Sequence, residues 1–329
     1  MKVLVTGGAG YVGSHVVAGL IDAGHEPVVY DNLSEGHRES VPAGVPLVEG
    51  DIGDLAAVRA AISDHGAEAV AHLAANCYVG ESVEKPLKYY RNNVVGSLAV
   101  LEAAVSCGAR RIVFSSSAAT YGQPEAELVT EDSPQHPVNP YGETKLAFER
   151  ALSYAAPAFG LAPVSLRYFN ASGCWPERGL GEDHAPETHL IPLVLRAALT
   201  GGEIKVFGTD YQTPDGTAVR DYVHVRDLAA AHILALEAGR EGEHLAFNLG
   251  SETGFSVREL IDLAREVTGR EIRAVDSPRR PGDPARLVAS NSLAREVLGW
   301  TAGHSDLRSI LASAWEWQRA HPEGYSAAS

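Results

Sequence analysis

Tyr141 and Lys145 stand four residues apart, directly after Pro140. If that proline opens a helix, the phenol and the ammonium share one face. A phenol with a pKa of about 10 is a poor base at neutral pH, and a neighbouring cation improves it by favouring the phenolate. Ser115, Ser116 and Ser117 end an apolar run that begins at Arg111. At the carboxyl end of a sheet strand, Ser117 is placed to hold or pass the proton of a substrate hydroxyl. Two blander readings stand beside these, an exposed helix pair and strand-end hydrogen bonding.

A second constellation lies at the start of the chain. Gly7, Gly8, Gly10 and Gly13 satisfy both GxxGxxG and GxGxxG between an apolar run and an amphipathic stretch. Side chains there would hold a pyrophosphate away from the helix N-terminus, whose free N–H groups bind it. Asp31 follows 18 residues after Gly13, where a carboxylate can accept from both ribose hydroxyls of a dinucleotide. The same charge repels a 2′-phosphate, and Asn32-Leu33-Ser34 offers no adjacent cation, so NAD is expected over NADP. Arg38 is the nearest counter-candidate and reads better as a solvated loop residue. Asp51-Ile52 reads as the adenine edge of the site or, equally, as a surface loop.

These residues need a scaffold that brings strand ends together. Short β-branched runs at 2–6, 27–30, 69–74, 111–116 and 163–169 alternate with helical stretches at 13–24, 54–65, 87–107 and 141–159. This alternation predicts an α/β fold, a doubly wound parallel sheet of the Rossmann type, whose covered strands are nearly continuously apolar. After Asn170 the texture changes to Gly, Pro, Trp and His. Residues 1–170 and 218–250 are therefore expected to form an NAD-binding domain, and 171–217 and 251–329 a smaller lobe for the substrate.

Composition excludes several function classes. The 329 residues carry 42 acidic against 27 basic groups, a formal charge of −15, which disfavours nucleic acid and anionic membranes as partners. Cys77, Cys107 and Cys174 form no CxxC pair, so no metal site or disulfide framework is expected and a reducing cytoplasm fits. No apolar run approaches the roughly 18 to 20 residues of a membrane span. Neither GxSxG nor HExxH occurs, which leaves serine-hydrolase and zinc-protease chemistry without an anchor.

Taken together, VTGGAGYVGSH at 5–15, VGESVEKPLKYYRNNV at 79–94, FSSSAATYG at 114–122, NPYGETKL at 139–146, LRYFN at 166–170, DGTAVRDYVHVRDLA at 215–229 and WEWQRAHPEGY at 315–325 resemble the extended short-chain dehydrogenase/reductases and, within them, the UDP-glucose 4-epimerases. The resemblance implies an NAD-dependent isomerase that interconverts UDP-glucose and UDP-galactose through transient oxidation at sugar carbon 4. It implies that Tyr141 takes the 4-hydroxyl proton, Ser117 bonds the 4-oxygen and Lys145 bonds the nicotinamide ribose. Cofactor contacts carry over to Gly7, Gly10, Tyr11, Val12, Gly13, Asp31, Asn32, Ser34, Asp51, Ile52, Ala74, Ala75, Asn92, Ser115 and Tyr168. Substrate contacts carry over to Asn170, His189, Leu190, Phe207, Arg220, Tyr222, Arg280 and Asp283, a set in which planar cations suit a diphosphate. A homodimer through the helices near 87–107 and 141–159 is also implied.

Departures from the family pattern carry expectations of their own. Cys77 stands where the family commonly has a lysine reaching the cofactor pyrophosphate, which predicts weaker retention of NAD. Leu287 occupies the position that gates room for an N-acetyl group. His189 stands where asparagine is frequent and is either a substrate contact or a structural histidine. Other UDP-sugar enzymes, such as a uronate epimerase or a dehydratase, are the alternatives. A dehydratase needs an acid–base pair where this chain has Ala118 and Ala119. A non-catalytic NAD sensor would not require Ser117, Tyr141 and Lys145 together.

Overall fold

In a computed structural model describing residues 1–280 and 283–327, seven runs pair into one parallel sheet. The strands are β1 (Lys2–Thr6), β2 (Glu26–Asp31), β3 (Leu47–Glu49), β4 (Ala69–His72), β5 (Arg111–Ser117), β6 (Ala162–Tyr168) and, last in the sheet, Leu245–Leu249. Across the sheet they run β3, β2, β1, β4, β5, β6 and Leu245–Leu249, every pairing parallel. The winding reverses between β1 and β4, which opens a crevice beyond their carboxyl ends where ligands of such sheets bind. Both faces are covered, as the full burial of consecutive Val3, Leu4 and Val5 requires. Val16, Val17 and Leu20 of one helix (Tyr11–Asp22) meet Leu228 and Ala235 of another (Val225–Ala238) on one face. Ile62, Val100, Phe148 and Leu152 fill the other.

Two elements differ from expectation. The first helix begins at Tyr11 rather than 13, because Gly10 remains extended as its N-cap (φ −81°, ψ 177°); Gly13 therefore lies inside the first turn. The stretch expected as one helix over 87–107 is preceded by a short helix, Val79–Glu84, and is itself divided into Pro86–Tyr89, a π-helical turn Tyr90–Gly96, and Ser97–Cys107. Pro86 cannot donate to a preceding turn and instead starts a new one at its first position.

Beyond Asn170 the chain builds smaller sheets: Asn170–Ser172 with Tyr222–His224, Glu203–Phe207 with Arg273–Ser277, and Val219–Arg220 between Phe255–Ser256 and Arg286–Leu287. Three helices, Leu190–Thr200, Val257–Thr268 and Leu307–Ala320, close a separate core around Leu195, Leu260 and Leu311. Ala294, Leu298 and Trp300 return to the core of the large sheet instead, and the Trp300 indole donates to the Asp227 carbonyl at 2.8 Å. Among the described residues no helix is long and apolar enough to cross a membrane.

Candidate active site

The turn after β1 needs glycine for two physical reasons. Gly7 has φ +73°, and a Cβ on it would sit 2.6 Å from the Ala74 backbone nitrogen; at Gly13 a Cβ would lie 2.0 Å from the Gly7 carbonyl oxygen. The backbone thus closes tightly beneath a helix start that has no side-chain cap and no acid in its first turn. Those exposed N–H groups and the bare cradle fit a dinucleotide pyrophosphate. Asp31, at the end of β2, accepts from the backbone N–H groups of Ala9 at 3.0 Å and Leu33 at 2.9 Å. A carboxylate has about four acceptor sites, so capacity remains for ribose hydroxyls. Burial raises the Asp31 pKa against the lowering effect of those N–H groups. Arg38 pairs with Glu49 at 2.8 Å and is not part of the cleft wall, so it is not placed to receive a 2′-phosphate at Asp31.

The helix Pro140–Phe159 carries the second constellation. Asn139 caps it by accepting the Gly142 N–H at 2.9 Å, and Pro140 takes its first position. Gly142 lies so close to the turn after β5 that a Cβ would meet the Ala119 carbonyl at 2.4 Å. This approach brings Tyr141 into hydrogen-bonding contact with Ser117. The Ser117 hydroxyl also accepts from the Ala119 N–H at 3.1 Å.

Lys145 is buried, with its ammonium 4.9 Å from the centre of the Phe114 ring and 5.8 Å from that of Tyr141. It donates to the Ser115 carbonyl at 2.8 Å. Burial pulls its pKa down to about 8. Burial likewise pushes the Tyr141 phenol well above its usual range, with the Ser117 hydrogen bond opposing. Among the protein's own groups desolvation thus dominates at Tyr141.

One cleft of about 2190 Å³ joins both constellations. A pocket for one drug-sized ligand occupies about 300–1,000 Å³, so the cleft has room for two. Gly7, Gly10, Tyr11, Val12, Gly13, Asp31, Asn32, Ser34, Asp51, Ile52, Ala74, Ala75 and Asn92 line the side toward β1 and β2. Ser117 and Tyr168, at the ends of β5 and β6, line the cleft as well, with Tyr141 and Lys145 of the helix Pro140–Phe159. Asn170, His189, Leu190, Phe207, Arg220, Tyr222, Arg280 and Asp283 line the side toward the smaller lobe, together with Leu287. Ser115 alone is off the wall: its hydroxyl meets Nε2 of buried His232 at 2.8 Å, and its carbonyl holds Lys145. Cys77 lines the cleft with its thiol pushed up to about 11 by burial, so it is neutral at pH 7.

On the lobe side, the Arg280 guanidinium lies over the Phe207 ring, 4.0 Å from its centre. Arg220 is 3.5 Å from an Asp283 oxygen and donates to the Val219 carbonyl. Two cations and an aromatic ring on one wall of the cleft suit a planar base joined to phosphate. Asn170 donates to the Asp221 carbonyl at 2.7 Å. Asp221, fully buried, accepts from Ser251 and from the Ala289 N–H and so ties the lobe together.

Sequence reasoning missed three positioning residues. Asn93, in the π-helical turn, accepts the Asn76 N–H at 2.8 Å and donates to Asn76 and Thr144, linking the end of β4 to the helix that bears Tyr141. His232 anchors Ser115, and Asp221 anchors Asn170. A polar pair in an apolar stretch was the available signal for Asn93; His232 and Asp221 gave none, since their partners are 117 and 51 residues away.

Residues 3–250 match the NAD dependent epimerase/dehydratase family. A UDP-glucose 4-epimerase of Corynebacterium glutamicum is 52% identical over 322 residues, covering 97% of this chain and 96% of that protein. The UDP-glucose 4-epimerase of Brucella ovis, solved in complex with NAD, superposes with a TM-score of 0.91 at 48% identity and covers 95% of this chain and 97% of its own. The enzyme of the same name from Bifidobacterium longum, solved with NAD+ and UDP, gives 0.93 at 36% identity, covering 99% of this chain and 100% of its own.

Proposed function

The chain belongs to the NAD dependent epimerase/dehydratase family, and we propose that it interconverts UDP-glucose and UDP-galactose by inverting carbon 4 of the sugar. The observation that carries this reading is that Tyr141, Ser117 and Lys145 line one cleft together with the glycine cradle and with Arg220, Arg280 and Phe207. Held by the glycine cradle and Asp31, NAD would supply a hydride acceptor and donor at sugar carbon 4, the 4-keto sugar presenting its other face for the return. The Tyr141 oxygen, deprotonated, takes the 4-hydroxyl proton as the hydride leaves and gives it back on return, so protons and electrons balance to zero. Ser117 holds the 4-oxygen and Lys145 the nicotinamide ribose. Because burial raises the Tyr141 pKa, the phenolate needs positive charge beyond the Lys145 ammonium, and the cationic ring of the oxidised cofactor would add it.

The other contacts follow the geometry. Asp31 accepts from the adenosine ribose, and Gly7, Gly10 and Gly13 admit the pyrophosphate. Arg220 and Arg280 hold the substrate diphosphate, and Phe207 stacks beside uracil. Residues 1–170 with 218–250 serve the cofactor, and 171–217 with 251–329, apart from the segment around 294–300 that packs on the large sheet, serve the UDP-sugar. Leu87, Val95, Leu98 and Tyr154 leave apolar surface exposed on the helical segments Pro86–Cys107 and Pro140–Phe159, which supports a homodimer through that face. A reducing cytoplasm and a place in galactose metabolism accompany this reading. A dehydratase is disfavoured because Ala118 and Ala119 occupy the turn where an acid and a base would be needed.

The test is to incubate the purified chain with UDP-galactose and NAD and follow the sugar by NMR. UDP-glucose is expected to appear up to an equilibrium mixture, with no net oxidised product. Accumulation of a keto or acid product overturns the reading.

A further inference from the structure

The loop that enters the helix Leu190–Thr200 gathers four side chains with metal-ligating atoms. One such atom from each of Glu182, His184, Glu187 and His189 lies within 4.8 Å of the others. His189 Nδ1 is 2.8 Å from Glu182 Oε1 and 3.2 Å from Glu187 Oε1. His184 Nδ1 is 3.5 Å from Glu182 Oε1 and 3.6 Å from Glu187 Oε2.

Hydrogen bonding among the four accounts for His189 but not for His184. The His184 side chain is only 10% exposed, and its Nδ1 is buried without a hydrogen-bond partner. A buried nitrogen left without a hydrogen bond costs about 1–3 kcal/mol, and His184 Nδ1 meets its two carboxylates only at 3.5 and 3.6 Å, beyond good hydrogen-bond length, so the space among the four groups is under-filled. From the sequence no metal site was expected, since the three cysteines are dispersed. The cluster needs no cysteine.

We propose that Glu182, His184, Glu187 and His189 form a four-coordinate site for one divalent cation of the zinc class. Zinc bonds of about 2.0–2.1 Å to nitrogen and oxygen in a tetrahedron imply ligand–ligand edges of about 3.3–3.4 Å; with one ligand atom from each residue within 4.8 Å of the others, modest side-chain adjustment closes the four onto one ion. Two neutral imidazoles and two carboxylates balance the double charge. The nitrogen pair also separates this site from those for magnesium or calcium, which take six or more oxygens. Glu187 is already oriented, because its Oε1 accepts the backbone N–H groups of Thr188 and His189 at 2.7 Å each.

With four protein ligands the site has no open position and is structural. The His184 ring lies edge-on to Tyr11 of the glycine-turn helix and to Tyr78, centroids 6.2 and 6.0 Å away, while His189 caps the helix Leu190–Thr200 of the lobe. The cation clamps the loop that joins the dinucleotide side of the cleft to the substrate side. Its existence does not depend on which sugar nucleotide the cleft accepts.

The experiment is to dialyse the full chain against a chelator, verify its fold by circular dichroism, and titrate it with cobalt(II). One equivalent is expected to bind with the intense visible bands of tetrahedral cobalt, and zinc is expected to displace it. His184→Ala is expected to lose the bands; if that variant fails to fold, Glu187→Gln replaces it. A folded wild-type chain without stoichiometric tetrahedral cobalt overturns the site. So does a folded His184→Ala or Glu187→Gln variant that binds cobalt as the wild type does. The cluster is then an imidazolium–carboxylate ion-pair group.

Discussion

The Lys145 ammonium donates to the Ser115 carbonyl at 2.8 Å, so the cation is tethered to the end of β5 while the centre of the Tyr141 ring lies 5.8 Å away. The lysine is tied to the strand end and reaches the phenol only through space. Burial lowers the Lys145 pKa from 10.5 to about 8. Between these values the unfolded chain holds more protons than the folded one, so stability relative to a variant lacking the amine rises with pH. Lys145→Met is therefore expected to lose ground to the wild type in urea melts from about pH 8 to about pH 10.5. NAD affinity of the cofactor-free wild type should fall as pH passes about 8, while that of Lys145→Met stays flat over the same range.

Tyr141→Phe removes the proposed proton acceptor and retains the ring. Turnover should fall by about 10²–10⁴-fold, the range for loss of one general acid–base group, with the circular dichroism spectrum unchanged. Unchanged turnover would remove the phenol from the mechanism.

Gly13→Ala forces a Cβ to within 2.0 Å of the Gly7 carbonyl and opens the turn. NAD titrated by protein fluorescence should bind at least ~10-fold more weakly, about 1.4 kcal/mol. Asp31→Asn should likewise weaken NAD without conferring NADP binding, since Arg38 is paired with Glu49.

Arg167 and Glu149 form a buried ion pair, 2.6 Å between Nη2 and Oε2, with side chains 7% and 3% exposed. The Ser116 hydroxyl donates to the same carboxylate. Removing one partner strands a buried charge, so Arg167→Met should cost about 3–5 kcal/mol in equilibrium urea unfolding. A loss below about 1 kcal/mol would mean that water reaches Glu149.

Leu287 lines the lobe side of the cleft, in register with Arg220 on the neighbouring strand. Leu287→Gly should raise kcat/KM for UDP-N-acetylglucosamine relative to UDP-glucose, read by NMR. An unchanged ratio would remove Leu287 as the gate.

Much of the molecule was legible because the information is local. β-branched runs reveal their sheet, since a strand covered on both faces must be apolar throughout. The glycine turn reveals itself because side chains cannot occupy it, and Asn139-Pro140 marks the start of the helix that carries Tyr141. The breaks before Ser97 were less legible, since Pro86 marks one boundary whereas the π-helical turn after it arises within an otherwise helical run.

The sequence by itself determined which residues can do chemistry and on which elements they ride. Short-range periodicity, capping and backbone sterics depend on neighbours a few positions apart. Only the tertiary structure decided that Lys145 is tied to Ser115, that burial raises Tyr141, that Asn93 braces Asn76 and Thr144, and that His184 faces two carboxylates without a hydrogen bond. Each depends on desolvation or on contacts between distant segments, and both are set by how the elements pack rather than by the order in which they are written.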